Sequence, residues 1–278
     1  MALKVVQCDA PGLGHLYLPG GTGASPAILL LHGSEGSEGW IGHRCAALFA
    51  AHGFVALPMA YAVGGNPWIA GDIWNISLDE TERVMAALRA HPRCNGRLGV
   101  YGWSRGAEHA LLAAALTSEP GSLTSPDAVA VHAPPDRVQG PWRNLFYRHR
   151  EEGEPMTPPP AWGFRSDRLV SGLVAWTWRG RPIEEGAAIE IDRFSGPLFL
   201  SVGTDDEIWP SSMAGRLVEH LRAAGLDPEF KIYEGQRHMP DPDTWNLHLE
   251  QLLDFFERSI ATPRDMNFSP NDGGSRHS

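Results

Sequence analysis

Continuous apolar runs alternate with runs of helical spacing along most of the chain. "PAILLLHG" (26–33) is apolar at nearly every position up to a closing glycine, the pattern of a strand buried on both faces. "EGWIGHRCAALFAAHG" (38–53) repeats its apolar positions at helical intervals and stops at Gly53. "FVALPMAY" (54–61) is the next buried run. "ISLDETERVMAALRAHP" follows, with Ser77 and Glu80 spaced as a capping box and Pro92 beyond its end. "RLGVYGW" predicts a strand and "GAEHALLAAAL" a helix of small residues. "DAVAVHAPP" (127–135), "GPLFLSVG" (196–203) and "EFKIYEG" (229–235) predict three more strands. "SSMAGRLVEHLRAAG" and "DTWNLHLEQLLDFFERSIA" predict the last two helices.

Strand and helix in repeated alternation with short loops predict an α/β fold, a mostly parallel sheet wound with right-handed crossovers and flanked by helices. The first twenty residues are expected to add an antiparallel hairpin at one edge. Residues 1–261 read as one domain. Residues 136–190 break the rhythm: they hold four tryptophans (Trp142, Trp162, Trp176, Trp178), a "TPPP" run and eight arginines without clear periodicity. An insert of this length between two strands is expected to be a lid or binding element, the alternative being a structural cover over the sheet edge. The tail 262–278, polar and rich in Gly and Ser, is expected to be disordered.

A formal charge of -10 argues against nucleic acid or an anionic membrane as the main partner. Cys8, Cys45 and Cys94 are an odd number at wide spacing, which fits neither a disulfide framework nor a zinc knuckle and suits a reducing compartment. The start of the chain does not read as a signal peptide, and the apolar runs are strand-length. A soluble, cytoplasmic protein is expected, its oligomeric state open.

Chemistry concentrates at Gly102-Trp103-Ser104-Arg105-Gly106, a G-x-S-x-G sequence between "LGVY" and "AEHALLAAAL". A serine on a sharp strand-to-helix turn projects its hydroxyl above the sheet, and the next amide lies at a helix N-terminus. The hydroxyl needs a base, and the base needs an orienting acid. "SVGTDDEIWPSS" places Asp205 and Asp206 after a buried strand, and "YEGQRHMPD" places His238 after the next. Asp206 is the preferred acid, fourth in a G-x-x-D turn, with Asp205 as the alternative. His32, His109 and His132 also fall near strand ends or the elbow helix; His238 is preferred because none of them follows the last strand. "LLLHGSEGSEG" (29–39) ends a strand in a glycine-rich loop, so the backbone N–H groups of Ser34 and Arg105 are the expected oxyanion donors, each worth roughly 3 kcal/mol. No P-loop and no HExxH-like cluster occurs, so neither a metal nor another cofactor is expected.

These stretches resemble the α/β-hydrolase superfamily over about residues 14–260. Within it, "LLHGSEGSEG", "LFAAHGFVALPMAY", "ISLDETERVMAALRAHP", "LGVYGWSRGAEHALL", "VGTDDEIWPSS" and "GQRHMPDP" resemble the catalytic domain shared by bile acid-CoA:amino acid N-acyltransferases and acyl-CoA thioester hydrolases; dienelactone hydrolase-like enzymes are more distant. The resemblance implies Ser104 as nucleophile, Asp206 as orienting acid and His238 as base. The mammalian acyltransferases of that family carry cysteine where this chain has Ser104, and an N-terminal β-sandwich domain for which no counterpart is expected here. The reading is a serine hydrolase cleaving a small-molecule acyl ester or thioester through an acyl-enzyme. Its rivals are an acyltransferase passing the acyl group to an amine or alcohol, and a catalytically idle binding module. Trp103 and the four insert tryptophans are candidate walls of the substrate pocket, and the insert's arginines are candidate partners for an anionic leaving group such as the phosphates of CoA.

Overall fold

In the computed structural model, residues 4–36, 40–62, 72–118, 124–142 and 173–261 are described. β1 (Val5–Ala10) and β2 (Gly14–Pro19) form the expected antiparallel hairpin at one edge of the sheet. β2 meets β4 (Val55–Met59) antiparallel. From β4 onward through β3 (Ser25–Leu31), β6 (Cys94–Trp103), β7 (Ala128–His132), β10 (Leu198–Gly203) and β11 (Glu229–Tyr233) every pairing is parallel. The eight strands thus run in the order β1-β2-β4-β3-β6-β7-β10-β11. The central strands are apolar on both faces because helices cover both. α2 (Leu78–Ala90), α3 (Arg105–Thr117) and α4 (Ser211–Ala223) pack on one face with Leu29, Leu31, Val100 and Val131. α1 (Trp40–Ala51) and α5 (Pro242–Phe256) pack on the other with Ile28, Leu30, Tyr101 and Phe199.

One local expectation fails. Ser77 is the N-cap of α2, yet its hydroxyl donates to Asp79 Oδ2 at 3.2 Å and caps no amide. Glu80 turns instead to Arg83 Nε at 2.8 Å. Both side chains are taken by other partners: Asp79 Oδ2, which holds the Ser77 hydroxyl, also accepts from the Arg179 amide at 2.9 Å. Ile76 and Ser77 form β5, which pairs with β8 (Trp176–Trp178). β8 continues as a hairpin into β9 (Arg181–Ile183), giving a second, three-stranded sheet.

The described ends of the insert are therefore anchored rather than loose. Trp142 bridges to Ile73, Arg137 bridges to Ala188, and Trp176 pairs with Ile76. The middle of the insert with Trp162, residues 37–39 of the glycine-rich loop, and the tail 262–278 lie outside the described residues. Among those described, no helix is long and apolar enough to cross a membrane.

Candidate active site

The carboxyl ends of β3, β6, β10 and β11 deliver the candidate residues to one edge of the sheet. Ser104 lies between β6 and α3 with φ 53° and ψ −121°, a conformation that costs a non-glycine residue on the order of 1–3 kcal/mol. Space explains the flanking glycines. A Cβ on Gly102 would sit 2.0 Å from the Gly106 carbonyl oxygen, and one on Gly106 would sit 2.0 Å from that of Leu31. The turn is pinned by the Ser104 amide, which donates to His132 O at 2.9 Å, and by the Ser104 carbonyl, which accepts from the Ala107 amide at 2.9 Å.

The acid and the imidazole meet. His238 Nδ1 lies 3.0 Å from Asp206 Oδ1 and 2.9 Å from Oδ2, with both residues buried. Asp206 Oδ1 also accepts from the amides of Ile208 (2.9 Å) and Trp209 (2.8 Å), so the carboxylate is held by its own loop as well as by the imidazole. Asp205 is exposed, and its carboxylate takes the Thr204 hydroxyl at 3.2 Å. The two loops are laced together: Thr204 N donates to Tyr233 O, Asp205 N to Gln236 O, and Gly235 N to Thr204 Oγ1. Their close approach needs Gly203, where a Cβ would lie 2.2 Å from Gln236 O. The amide of His238 is held by Glu207 Oε2 at 3.1 Å.

Trp209 joins the halves of the site. Its backbone N–H goes to Asp206, and its indole Nε1–H donates to Ser104 Oγ at 3.1 Å. Among the hydrogen bonds of the described residues, Ser104 Oγ is engaged by this indole and not by His238.

The β3 loop packs directly on the elbow, since a Cβ on Gly33 would lie 3.3 Å from Ser104 Cβ. No hydrogen bond among the described residues engages the amide of Ser34 or that of Arg105. Glu35 stays exposed as a residue, but its carboxylate turns inward to accept from the Gly33 amide at 3.0 Å and the Trp103 indole at 2.5 Å. Burial pushes the Glu35 carboxyl above the ordinary carboxylate range; the Gly33 and Trp103 donors and the nearby His238 only partly offset it. Neither Glu35 nor Trp209 stood out in the sequence.

The remaining candidates separate. Trp103 is buried, its ring tilted 37° against that of Tyr101 at 5.6 Å, and tied to the site through Glu35. Trp176 is a core residue whose indole donates to Glu108 Oε1 at 2.8 Å. Trp178 carries the Arg179 guanidinium 4.2 Å over its ring, and Trp142 packs against the core at the insert's first end. His32 is buried, stacked on Tyr61 at 3.9 Å, with its pKa lowered to about 4 by burial. His109 hydrogen-bonds Thr81 Oγ1 at 2.7 Å, and burial lowers its pKa to about 3. Among the described residues, no group of three His, Cys, Asp or Glu is placed to hold a metal ion.

Residues 77–260 match the family described as BAAT / acyl-CoA thioester hydrolase C terminal. The chain belongs to that family. Mouse acyl-coenzyme A thioesterase 6 is 29% identical over 235 residues, covering 82% of this chain and 51% of the relative. Mouse acyl-coenzyme A amino acid N-acyltransferase 1 is 28% identical over 233 residues, covering 82% and 52%. The chain thus spans about half the length of these curated relatives. A solved dienelactone hydrolase from Anabaena variabilis ATCC 29413 superposes with TM-score 0.54 at 14% identity over 93% of this chain and 98% of its own, which places the fold among the α/β-hydrolases. The part of the chain that matches the BAAT / acyl-CoA thioester hydrolase family takes in the elbow, the Asp206 turn and the His238 loop.

Proposed function

We propose that the protein is a serine hydrolase that cleaves an acyl ester or thioester, of acyl-CoA type, through an acyl-enzyme on Ser104. The observation that carries this reading is the Asp206–His238 pair at one sheet edge with a serine held at φ 53°. Nδ1–H of His238 is committed to the Asp206 carboxylate, so Nε2 is the basic nitrogen that takes the Ser104 proton during attack. The carbonyl oxygen of the substrate becomes an oxyanion, received by the amides of Ser34 and Arg105. Collapse expels the thiolate or alkoxide, protonated by His238. Water activated by the same imidazole then hydrolyses the acyl-Ser104 ester, the acid leaves, and Ser104 recovers its proton.

A fluorophosphonate probe tests the reading. Stoichiometric mass gain on Ser104, lost in Ser104→Ala, supports it; an unlabelled wild-type protein favours a binding module. Acyl-CoA, aryl ester and lactone panels then define the leaving group.

The likeness to an amino acid N-acyltransferase favours one second reading, transfer of the acyl group to an amine. Serine as nucleophile favours water. Formation of an N-acyl amino acid in the presence of glycine, at a rate above that of free acid, would reverse that preference.

A further inference from the structure

We propose that Trp209 is a further catalytic residue, whose indole N–H holds Ser104 Oγ and stabilises the charge that develops on it. This rests on the Ser104 acyl-enzyme reading above and adds a donor on the nucleophile itself. The geometry is direct: Nε1 lies 3.1 Å from Oγ, and Trp209 is 2% exposed. A tryptophan indole is a donor only, so the direction of this hydrogen bond is not in question. The serine oxygen is the acceptor.

Two consequences follow from the valence of a hydroxyl. With one lone pair filled by the indole, the Ser104 proton is left to point elsewhere, and His238 Nε2 is the base available to it because Nδ1 faces Asp206. As that proton departs, negative charge grows on Oγ, and the neutral hydrogen bond becomes a charge-assisted one, roughly twice as strong. Once the acyl ester has formed, Oγ is a poor acceptor and the interaction weakens. During deacylation Oγ is the leaving oxygen, and the indole meets its charge again. An interaction that strengthens between ground state and transition state accelerates the step rather than tightening substrate binding.

The same residue ties this donor to the base. Trp209 N donates to Asp206 Oδ1 at 2.8 Å, so one residue sets the distance between the Asp206–His238 pair and the nucleophile. Trp209 follows Asp206 by three positions, and its ring is fully enclosed, so the indole cannot swing away without leaving a void.

Trp209→Phe keeps the backbone donor to Asp206 and most of the ring while deleting the N–H. The variant is expected to lose about 10- to 100-fold in kcat/KM and in the rate of fluorophosphonate labelling, chiefly through kcat. Its pH profile should keep the wild-type shape, because the Asp206 contact survives; a ring that serves only packing would change that shape or leave the rate unchanged. Wild-type protein that resists the probe overturns the acyl-enzyme reading and this role with it. Wild-type labelled and Trp209→Phe labelled equally fast overturns the role of the indole alone. Should Trp209→Phe fail to fold, 15N-indole spectra of Ser104→Ala decide: the Trp209 N–H resonance moves upfield when its acceptor is removed, and a resonance that stays in place sinks the proposal.

Discussion

Arg105 and Glu108 form an ion pair one turn apart on α3, 2.8 Å between Nη1 and Oε2, with side chains only 1% and 0% exposed. Both reach past each other to the insert. Arg105 Nη2 donates to Gly140 O at 3.0 Å, and Glu108 Oε1 accepts from the Gln139 amide and the Trp176 indole. The first turn of the elbow helix therefore clamps both described ends of the insert. Burial pushes the Glu108 carboxyl above the ordinary carboxylate range, against the opposing pull of Arg105 and its two N–H donors. Glu108→Ala strands a buried guanidinium and should cost about 3–5 kcal/mol in urea denaturation, while the double variant Arg105→Met with Glu108→Leu should cost much less. Equal losses would mean that the pair itself, not the stranded charge, sets the stability.

Replacing Asp206 by Asn should lower kcat/KM by about 10⁴, against a few-fold for Asp205→Asn. The substituted carboxamide would keep Oδ1 for the amides of Ile208 and Trp209, so the loop survives, while its NH2 in place of Oδ2 turns a donor toward His238 Nδ1 and favours the wrong tautomer. Asp205 has only an exposed contact with Thr204 to lose. The reverse ranking in folded variants would hand the orienting role to Asp205.

Much of this was legible in the chain. Continuous apolar runs announced the parallel strands, because strands buried on both faces tolerate no alternation. The G-x-S-x-G and G-x-x-D turns marked Ser104 and Asp206 because both need glycine where backbones nearly touch. The hairpin "WTWRGRPI" was missed although it carries a signal: Arg179 and Gly180 both adopt positive φ, 51° and 71°, as a two-residue hairpin turn demands. A three-residue strand on each side gave too short an alternation to notice. The capping box failed for another reason, since Asp79 and Arg83 take the Ser77 hydroxyl and the Glu80 carboxylate that would have closed it. Trp209 and Glu35 were illegible: their roles arise from contacts with Ser104 and Gly33 that only the closed fold creates.

Stability should fall as the solution is acidified below about pH 6.5. Burial lowers the pKa of His32 and His132 from 6.5 to about 4 and that of His109 to about 3, and it depresses His248 as well. Between those values the unfolded chain binds protons that the folded one refuses, and each such histidine removes about 1.4 kcal/mol per pH unit. Glu35 and Glu108 act with the opposite sign, since their raised carboxyls stabilise the fold at low pH and that contribution is lost as pH rises. Four histidines outnumber two glutamates, so the net slope remains. Urea midpoints across this range test it, and His109→Gln should flatten the slope by about one proton. A midpoint independent of pH from about 6.5 to 4 would contradict neutral buried imidazoles.

The approach of the Asp206 and His238 loops can be tested through one hydrogen atom on each of two glycines. At Gly203 an added methyl would lie 2.2 Å from Gln236 O and 2.9 Å from Arg237 O, both backbone atoms that cannot rotate aside. Gly203→Ala must therefore push the loop before His238 away from the loop that carries Asp206. Overpacking of this kind costs about 1–3 kcal/mol of stability. Catalysis should suffer more, because a displacement near 1 Å at a proton-transfer site costs about 10²-fold. Gly215, on α4, is the matched control, since nothing lies within 4 Å of its added methyl. There the same substitution removes a helix-weakening glycine and should raise stability by about 0.5–1 kcal/mol with kcat/KM unchanged. The informative quantity is activity at equal foldedness, measured where both variants are native by urea titration. If Gly203→Ala keeps wild-type kcat/KM, the fit of Gly203 against Gln236 does not set the position of His238, and the site tolerates a looser frame than its hydrogen bonds suggest.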